Sequence, residues 1–380
     1  MKGTVWKRGE TWTYQFPVTR GGRRRQISKG GFCTKRECQD ALTEALSGYA
    51  TRGYSEPSKA TLAEFMRDDW LPRRRAQVRP TTWESYRDSL EGRVLPHLGD
   101  VLLRDLTPKM MAELYQHLLS APGRDSHRGQ LSKRTVAYTA RVLRAALADA
   151  VRQGAIPRNP ADAVDAPKPD NVEMRYWTPE QARSFLESVV DDRMEAAWRL
   201  LLATGLRRGE ALGLKWSDMD FDLGRVCVRR TLVAVGYRVE WSTPKTKRSN
   251  RSVDLDDGTV AALRRHRARQ LQERMAWGEV WEQGDLVFTR EDGSPMHPQS
   301  LSTAFKRAVK SSGLPSIRLH DLRHSSAVMA LATGIPTKVV SERLGHSSTA
   351  ITTDIYQHVT ETMQREAADR IGAVLDGVSG

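Results

Sequence analysis

The spacing between apolar residues changes along this chain, and that change limits its architecture more than any other feature. Trp12, Tyr14, Phe16 and Val18 alternate with Thr13, Gln15 and Pro17, the two-residue period of a half-buried strand. Thr19-Arg20-Gly21-Gly22 reads as a turn, and Arg23-Arg24-Arg25-Gln26-Ile27 as the start of the next strand. Thr34 with Glu37 three residues on forms a capping box, and Cys38, Leu42, Ala45, Leu46 and Tyr49 then fall on one helical face. A small sheet followed by a helix is expected over residues 1–55.

From residue 61 to 165 the period becomes purely helical. Leu62, Phe65, Met66 and Trp70 mark one helix, which Pro72 and Arg73-Arg74-Arg75 are expected to end. Pro80 opens a second, with Trp83, Tyr86, Leu90 and Val94; a third follows Thr107-Pro108 with Met111, Leu114, Tyr115 and Leu118. The longest begins near Ser132, carries Val136, Val142, Leu143, Ala146, Leu147 and Ala150, and stops at Gly154. Four helices joined by short loops suggest a bundle. The proline-rich stretch Pro157–Pro169 reads as a linker. Beyond it lies a third, mostly helical domain over 172–380, opened by the capping box Thr178-Pro179-Glu180-Gln181. In it Val226–Val228, Tyr237–Trp241 and Arg251–Leu255 are expected to form the three strands of a meander. The fold class is multidomain α+β, mostly α with small β-sheets.

Charge is unevenly distributed over these parts. Residues 1–36 hold ten Lys or Arg and one acid, Glu10, out of 60 basic and 46 acidic residues in the 380-residue chain. Clustered cations of this kind neutralise phosphates and release counterions, which points to a polyanion partner. Arg23, Arg24, Arg25 and Lys29 supply much of this charge, and Lys133 and Arg134 decorate the helical part. No apolar run reaches the roughly 18 residues of a membrane span, and the first ten residues lack a signal segment. Three cysteines without a CxxC support neither a disulfide framework nor a zinc site. A reduced, cytoplasmic protein without membrane attachment is expected.

Four islands in the last domain carry candidate chemistry. In Thr204-Gly205-Leu206-Arg207-Arg208-Gly209-Glu210, Gly205 can break the preceding apolar helix and leave Arg207 at the next helix N-terminus, where backbone N–H groups also favour an anion. Lys245 lies in Pro244-Lys245-Thr246-Lys247, a loop between two strands. On a helix His320, Arg323 and His324 share one face; the guanidinium repels a cation and Asp321-Leu322 replaces the Glu of a metalloprotease helix, so no metal is assigned. The fourth island runs from Leu344-Gly345-His346 to Tyr356. Two arginines, a lysine, histidines and a tyrosine, without a carboxylate cluster, are the parts of metal-free phosphoryl transfer. Arginine forks bind a phosphodiester and stabilise its growing charge, a tyrosine hydroxyl attacks phosphorus, and a lysine or histidine delivers a proton to the departing oxygen.

In this order and spacing the residues resemble the signature of the tyrosine recombinase (phage integrase) family, an Arg–Lys–His-x-x-Arg–His/Trp–Tyr series. It is matched by Arg207, Lys245, His320, Arg323, His346 and Tyr356, with Glu210 at the family's acidic position after the first arginine. The resemblance implies an arm-type DNA-binding domain at 1–55, built as a three-stranded sheet plus helix, a helical core-binding domain at 61–165 and a catalytic domain at 172–380. It further implies attack by Tyr356, a phosphate clamp of Arg207 and Arg323, hydrogen bonds from His320 and His346, and protonation of the leaving oxygen by Lys245. No cofactor is implied. The partners implied are double-stranded DNA at core and arm attachment sites and a homotetramer on that DNA. A requirement for a directionality factor or a DNA-bending protein stays open. So do a chromosome-dimer resolvase, a type IB topoisomerase and a catalytically idle DNA-binding regulator as alternatives to an integrase.

Overall fold

The computed structural model describes residues 2–20, 23–52, 59–120, 130–170, 174–242, 250–345 and 372, with the side chains of 18–20, 23–25 and 48–52 outside the description. The chain divides into two compact units, Met1–Asn171 and Val172–Gly380.

The first unit begins with three antiparallel strands in sequence order, β1 (Thr4–Arg8), β2 (Thr11–Arg20) and β3 (Arg23–Phe32). Helix α1 (Lys35–Arg52) follows, opened by the expected capping box: the Glu37 N–H donates to Thr34 Oγ1 and the Thr34 N–H to Glu37 Oε2, each at 3.2 Å. Strand alternation turns Tyr14 and Phe16 inward, where they meet Cys38 and Leu42 of α1. Arg23, Arg24 and Arg25 take the first three places of β3, opposite Arg20, Thr19 and Val18. What their side chains touch lies outside the described residues. Lys29 is exposed.

The rest of the unit is helical around its own core of Leu62, Met66, Leu90, Val94, Met111, Leu143 and Leu147. One expectation is corrected here, because Pro72 does not end its helix. Helix α2 (Leu62–Glu64) passes through a π-helical stretch, Phe65–Trp70, into α3 (Leu71–Gln77). The pattern recurs in α4 (Pro80–Ser89), the π stretch Leu90–Val94 and α5 (Leu95–Leu98), with Pro96 in the first turn of α5. A proline inside a helix offers no N–H and its ring crowds the carbonyl four residues back. In both places bonding shifts to the fifth residue back, Leu71 N–H to Met66 O and Leu95 N–H to Leu90 O, so a wider turn precedes each proline. Helices α6 (Pro108–Ser120) and α7 (Lys133–Arg152) complete the packing. Ser132 caps α7 and Gly154, at φ 75°, turns the chain away after it. Asp149 of α7 is buried and accepts from Trp70 Nε1 at 2.7 Å and Arg74 Nη2 at 2.6 Å. Lys133 pairs with Asp170 at 2.7 Å on the surface, and Arg134 beside it is exposed.

The second unit is built around α9 (Glu195–Thr204), apolar on nearly all sides and packed against α8 (Pro179–Ser188), α11 (Asp257–Trp277) and α13 (Asp321–Ala332). Its core joins Trp177, Phe185, Trp198 and Phe305 of α12 (Pro298–Ser312), with ring centroids 4.8–5.9 Å apart. The Thr178 capping box is present as expected. The short α10 (Arg208–Leu212) follows α9, and α14 (Thr337–Leu344) follows α13.

The expected meander is also corrected. Strands β4 (Met219–Asp220), β5 (Arg225–Val228) and β8 (Arg251–Asp254) form one antiparallel sheet in the order β4-β5-β8. Tyr237–Trp241 falls instead in a separate hairpin of β6 (Thr231–Val235) and β7 (Arg238–Ser242). Val226 and Val253 face each other across β5 and β8 and are both buried, so their burial selects this pairing over a sequential one. Among the described residues no helix is long and apolar enough to cross a membrane.

Candidate active site

The site starts where α9 stops. Gly205 caps that helix at φ 63°, and a Cβ there would collide with Leu344, so glycine serves both the turn and the close approach of α14. Two residues on, Arg207 occupies the N-cap position of α10, as expected. Its backbone N–H donates to Glu210 Oε2 at 3.0 Å and its Nη1 to Glu210 Oε1 at 2.7 Å. Its Nη2 reaches the Gly345 carbonyl at 3.1 Å. Glu210 lies in the first turn of α10, buried, with its second oxygen also accepting from Arg251 Nη2 at 3.0 Å. Arg251 projects from β8 and donates its Nε to the Arg343 carbonyl at 2.7 Å.

Arg323 comes from the first turn of α13 and is 4% exposed. Its Nη1 donates to the Gly205 carbonyl at 2.6 Å, while its buried Nη2 has no hydrogen-bond partner among the described residues. Burial first, then repulsion from Arg207, lowers its pKa to about 9, which still leaves it charged at neutral pH. Burial also opposes ionisation of Glu210. The charge and hydrogen bond of Arg251, followed by those of Arg207, outweigh burial and hold the carboxyl below its ordinary range. Three guanidiniums therefore surround one carboxylate, and the cluster retains a net positive charge suited to an anion.

His320 forms the N-cap of α13, and its ring meets that of His324 edge to face at 5.3 Å. His320 keeps a solvent-facing edge, yet crowding by protein atoms, then the proximity of His324 and Arg323, lower its pKa to about 4. It is thus neutral at pH 7 and able to hydrogen-bond to an anion without adding charge. His324 is lowered too, chiefly by burial, and its Nδ1 is buried without a hydrogen-bond partner among the described residues.

Of the residues selected from sequence, Arg207, Glu210 and Arg323 converge on the Gly205 and Gly345 turns, and His320 lies within electrostatic reach of Arg323. Lys245, His346 and Tyr356 lie outside the described residues. The chain that leads to the last two departs from Gly345, whose carbonyl Arg207 holds. Sequence reasoning missed Arg251 and also Arg343, whose Nη2 ties α14 to the Ala203 and Asp254 carbonyls at 3.0 and 2.9 Å. A signal for Arg251 was present, since in β8 it shares the inward phase of Val253.

Comparison with known proteins agrees with this picture. The family model described as Phage integrase family matches residues 175–363. Those described as Arm DNA-binding domain and Phage integrase, N-terminal SAM-like domain match residues 5–47 and 61–119. A "Tyrosine recombinase XerC-like" protein of Caldanaerobacter subterraneus is 27% identical over 361 residues, covering 89% of both chains. The ICEBs1 integrase of Bacillus subtilis is 28% identical over 285 residues, 73% of this chain and 75% of that one. Among solved structures, a Tn1549 transposon integrase in complex with transposon right-end DNA superposes with a TM-score of 0.67 at 23% identity, over 82% of this chain and all of that one. A lambda integrase tetramer bound to a Holliday junction gives 0.56 at 19% identity, over 91% and 96%. These structures share the fold. With a guanidinium cluster at the motif positions and family models along most of its length, the chain belongs to the tyrosine recombinase (phage integrase) family.

Proposed function

We propose that the protein is the site-specific recombinase of a phage or other mobile element, joining and separating DNA at attachment sites through a covalent link to Tyr356. The observation that carries this reading is the cluster of Arg207, Arg251 and Arg323 around Glu210, with the buried Nη2 of Arg323 left unpartnered among the described residues. A phosphodiester oxygen satisfies that donor and the unbalanced charge together.

In the proposed reaction the Tyr356 hydroxyl attacks the scissile phosphorus. The new bond joins Tyr356 Oη to a 3′-phosphate, and the bond to the 5′ oxygen breaks. Lys245 gives that oxygen a proton, leaving a free 5′-hydroxyl. Arg207 and Arg323 hold the non-bridging oxygens, whose charge grows in the transition state. Neutral His320, with His346, hydrogen-bonds the phosphate and assists removal of the tyrosine proton. Glu210 orients Arg207 and does no proton transfer. Attack by a partner strand's 5′-hydroxyl on the phosphotyrosine then reverses the chemistry and rejoins DNA without ATP, because the bond energy is kept in the protein–DNA link.

Residues 1–55 are proposed as the arm-site binding domain, contacting DNA through Arg23, Arg24, Arg25 and Lys29. Residues 61–165 are proposed as the core-site binding domain, using Lys133 and Arg134, and 172–380 as the catalytic domain. The lambda integrase solved as a tetramer on a Holliday junction supports a tetramer on two duplexes here. The place of action is the cytoplasm of a bacterial host, and a requirement for a directionality factor or DNA-bending protein stays open. The match to an arm DNA-binding model at residues 5–47 favours an integrase over a resolvase that lacks such a domain. The test is recombination between two plasmid-borne attachment sites cloned from the DNA flanking the element, in EDTA and without ATP. Joined products carrying both half-sites are expected; nicking or relaxation with no exchange would exclude an integrase.

A further inference from the structure

Arg251 stands outside the motif that defines the family, yet it is wired into the same cluster. Its side chain is 7% exposed, a costly placement for a guanidinium unless its donors are satisfied. Its partners among the described residues include two different elements: Nη2 donates to Glu210 Oε2 at 3.0 Å, and Nε donates to the Arg343 carbonyl at 2.7 Å. Arg207 bridges the same elements from the other side, through Glu210 Oε1 at 2.7 Å and the Gly345 carbonyl at 3.1 Å. Polar contacts thus close a ring through α10, β8 and the last turn of α14. Gly345, at φ 68°, packs so tightly against this ring that a Cβ there would lie 2.8 Å from Arg251 Nη1.

We infer that Arg251 is a positioning residue for strand cleavage, tying Glu210 to the end of α14 and thereby setting the place of Arg207 and of the chain that enters His346. The inference rests on the recombinase reading. Two physical reasons favour it over a plain structural ion pair. A carboxylate paired with Arg207 alone would cancel the charge that Arg207 offers a phosphate; sharing it with Arg251 leaves Arg207 attractive to an anion. The Arg343 carbonyl that Arg251 holds lies two residues before the Gly345 carbonyl that Arg207 holds, so one loss releases both the carboxylate and the turn. Lysine, with a single ammonium, satisfies one of these partners at a time.

The test uses the full chain and a nicked suicide duplex carrying a core site, and measures the rate of covalent adduct formation at saturating DNA, DNA affinity and melting temperature. Arg251→Met is expected to slow adduct formation by about 10–100-fold with affinity within about threefold, and Arg251→Lys to recover part of the rate. In a Glu210→Gln background, Arg251→Met should cost at most about threefold more, because the two side chains act as one unit. An unchanged rate overturns the proposal, as do rate and affinity falling equally or losses that multiply in the double variant. If Arg251→Met does not fold, the same readouts on Arg251→Lys decide. A parent that forms no adduct overturns the recombinase reading and this inference with it. A parent that reacts beside unaffected Arg251 variants overturns this inference alone.

Discussion

Replacing Glu210 with glutamine perturbs the site at a carboxylate that two arginines share. Glu210 accepts from the Arg207 N–H at 3.0 Å, Arg207 Nη1 at 2.7 Å and Arg251 Nη2 at 3.0 Å, and its side chain is 3% exposed. Glutamine keeps the shape but offers one oxygen, so its amide must face a donor, and two guanidiniums lose their counter-charge. Breaking a buried pair from one side costs about 3–5 kcal/mol. The low end applies here, because the Arg207 side chain is 41% exposed and regains water when released. About 3 kcal/mol in a unit of this size corresponds to a fall of roughly 6–12 °C in melting temperature. Sulfate should restore part of that fall in the variant, since an anion replaces the missing charge, and should affect the parent less. The carboxyl is held below its ordinary value of 4.5, so its stabilisation is fully present above that pH and lost as pH falls through the depressed value. The gap between parent and variant must therefore narrow in acid. Melting temperatures within about 2 °C of each other at pH 7, or a gap that persists unchanged below pH 4, would refute the assignment of Glu210 as an ionised shared acceptor.

Other perturbations test the Gly345 turn, the charge state of His320 and the basic strand separately. Gly345→Ala places a Cβ 2.8 Å from Arg251 Nη1 at φ 68°, and should slow adduct formation by about tenfold or more. Gly334→Ala, at φ 81° with open space around it, is the control and should lower stability only; equal rates for the two contradict the role of the Gly345 turn. His320 has a folded pKa of about 4 against an ordinary 6.5, so the unfolded chain binds the proton first and stability falls as pH drops from 6.5 towards 4. His320→Asn should therefore lose less melting temperature than the parent over that interval, and parallel curves would contradict it. Neutralising Arg23, Arg24, Arg25 and Lys29 should flatten the salt dependence of arm-site binding by about one unit of slope for each phosphate no longer neutralised. An unchanged slope would place the arm-site recognition elsewhere.

What the sequence made legible was local. Capping at Thr34 and Thr178, alternation at Tyr14 and Phe16, and the break at Gly205 each depend on neighbours within about four residues. Pairing over longer distances was not legible. Thr231–Val235 is a continuous TLVAV run with no alternation to mark it as a strand, and without that partner Tyr237–Trp241 reads as part of the wrong sheet. Pro72 misleads for a different reason. The rule that proline stops a helix assumes bonding to the fourth residue back, and the π stretch ahead of it escapes that rule. In the site, Arg207, Glu210 and Arg323 stand out because their spacing carries a motif. Arg251 lies 41 residues from Glu210 and meets it only through the tertiary fold; on its own strand the clue is a charged residue in the inward phase.

The proposed covalent bond between Tyr356 and DNA forms in front of an arginine clamp. Its most direct test is proteolysis of the adduct formed on a nicked suicide duplex in EDTA, followed by mass mapping of the peptide that carries the nucleotide. The expected products are a 3′-phosphonucleotide on Tyr356, none with Tyr356→Phe, and a free 5′-hydroxyl on the released strand. An adduct mapped to another residue, or one formed equally by Tyr356→Phe, would contradict it.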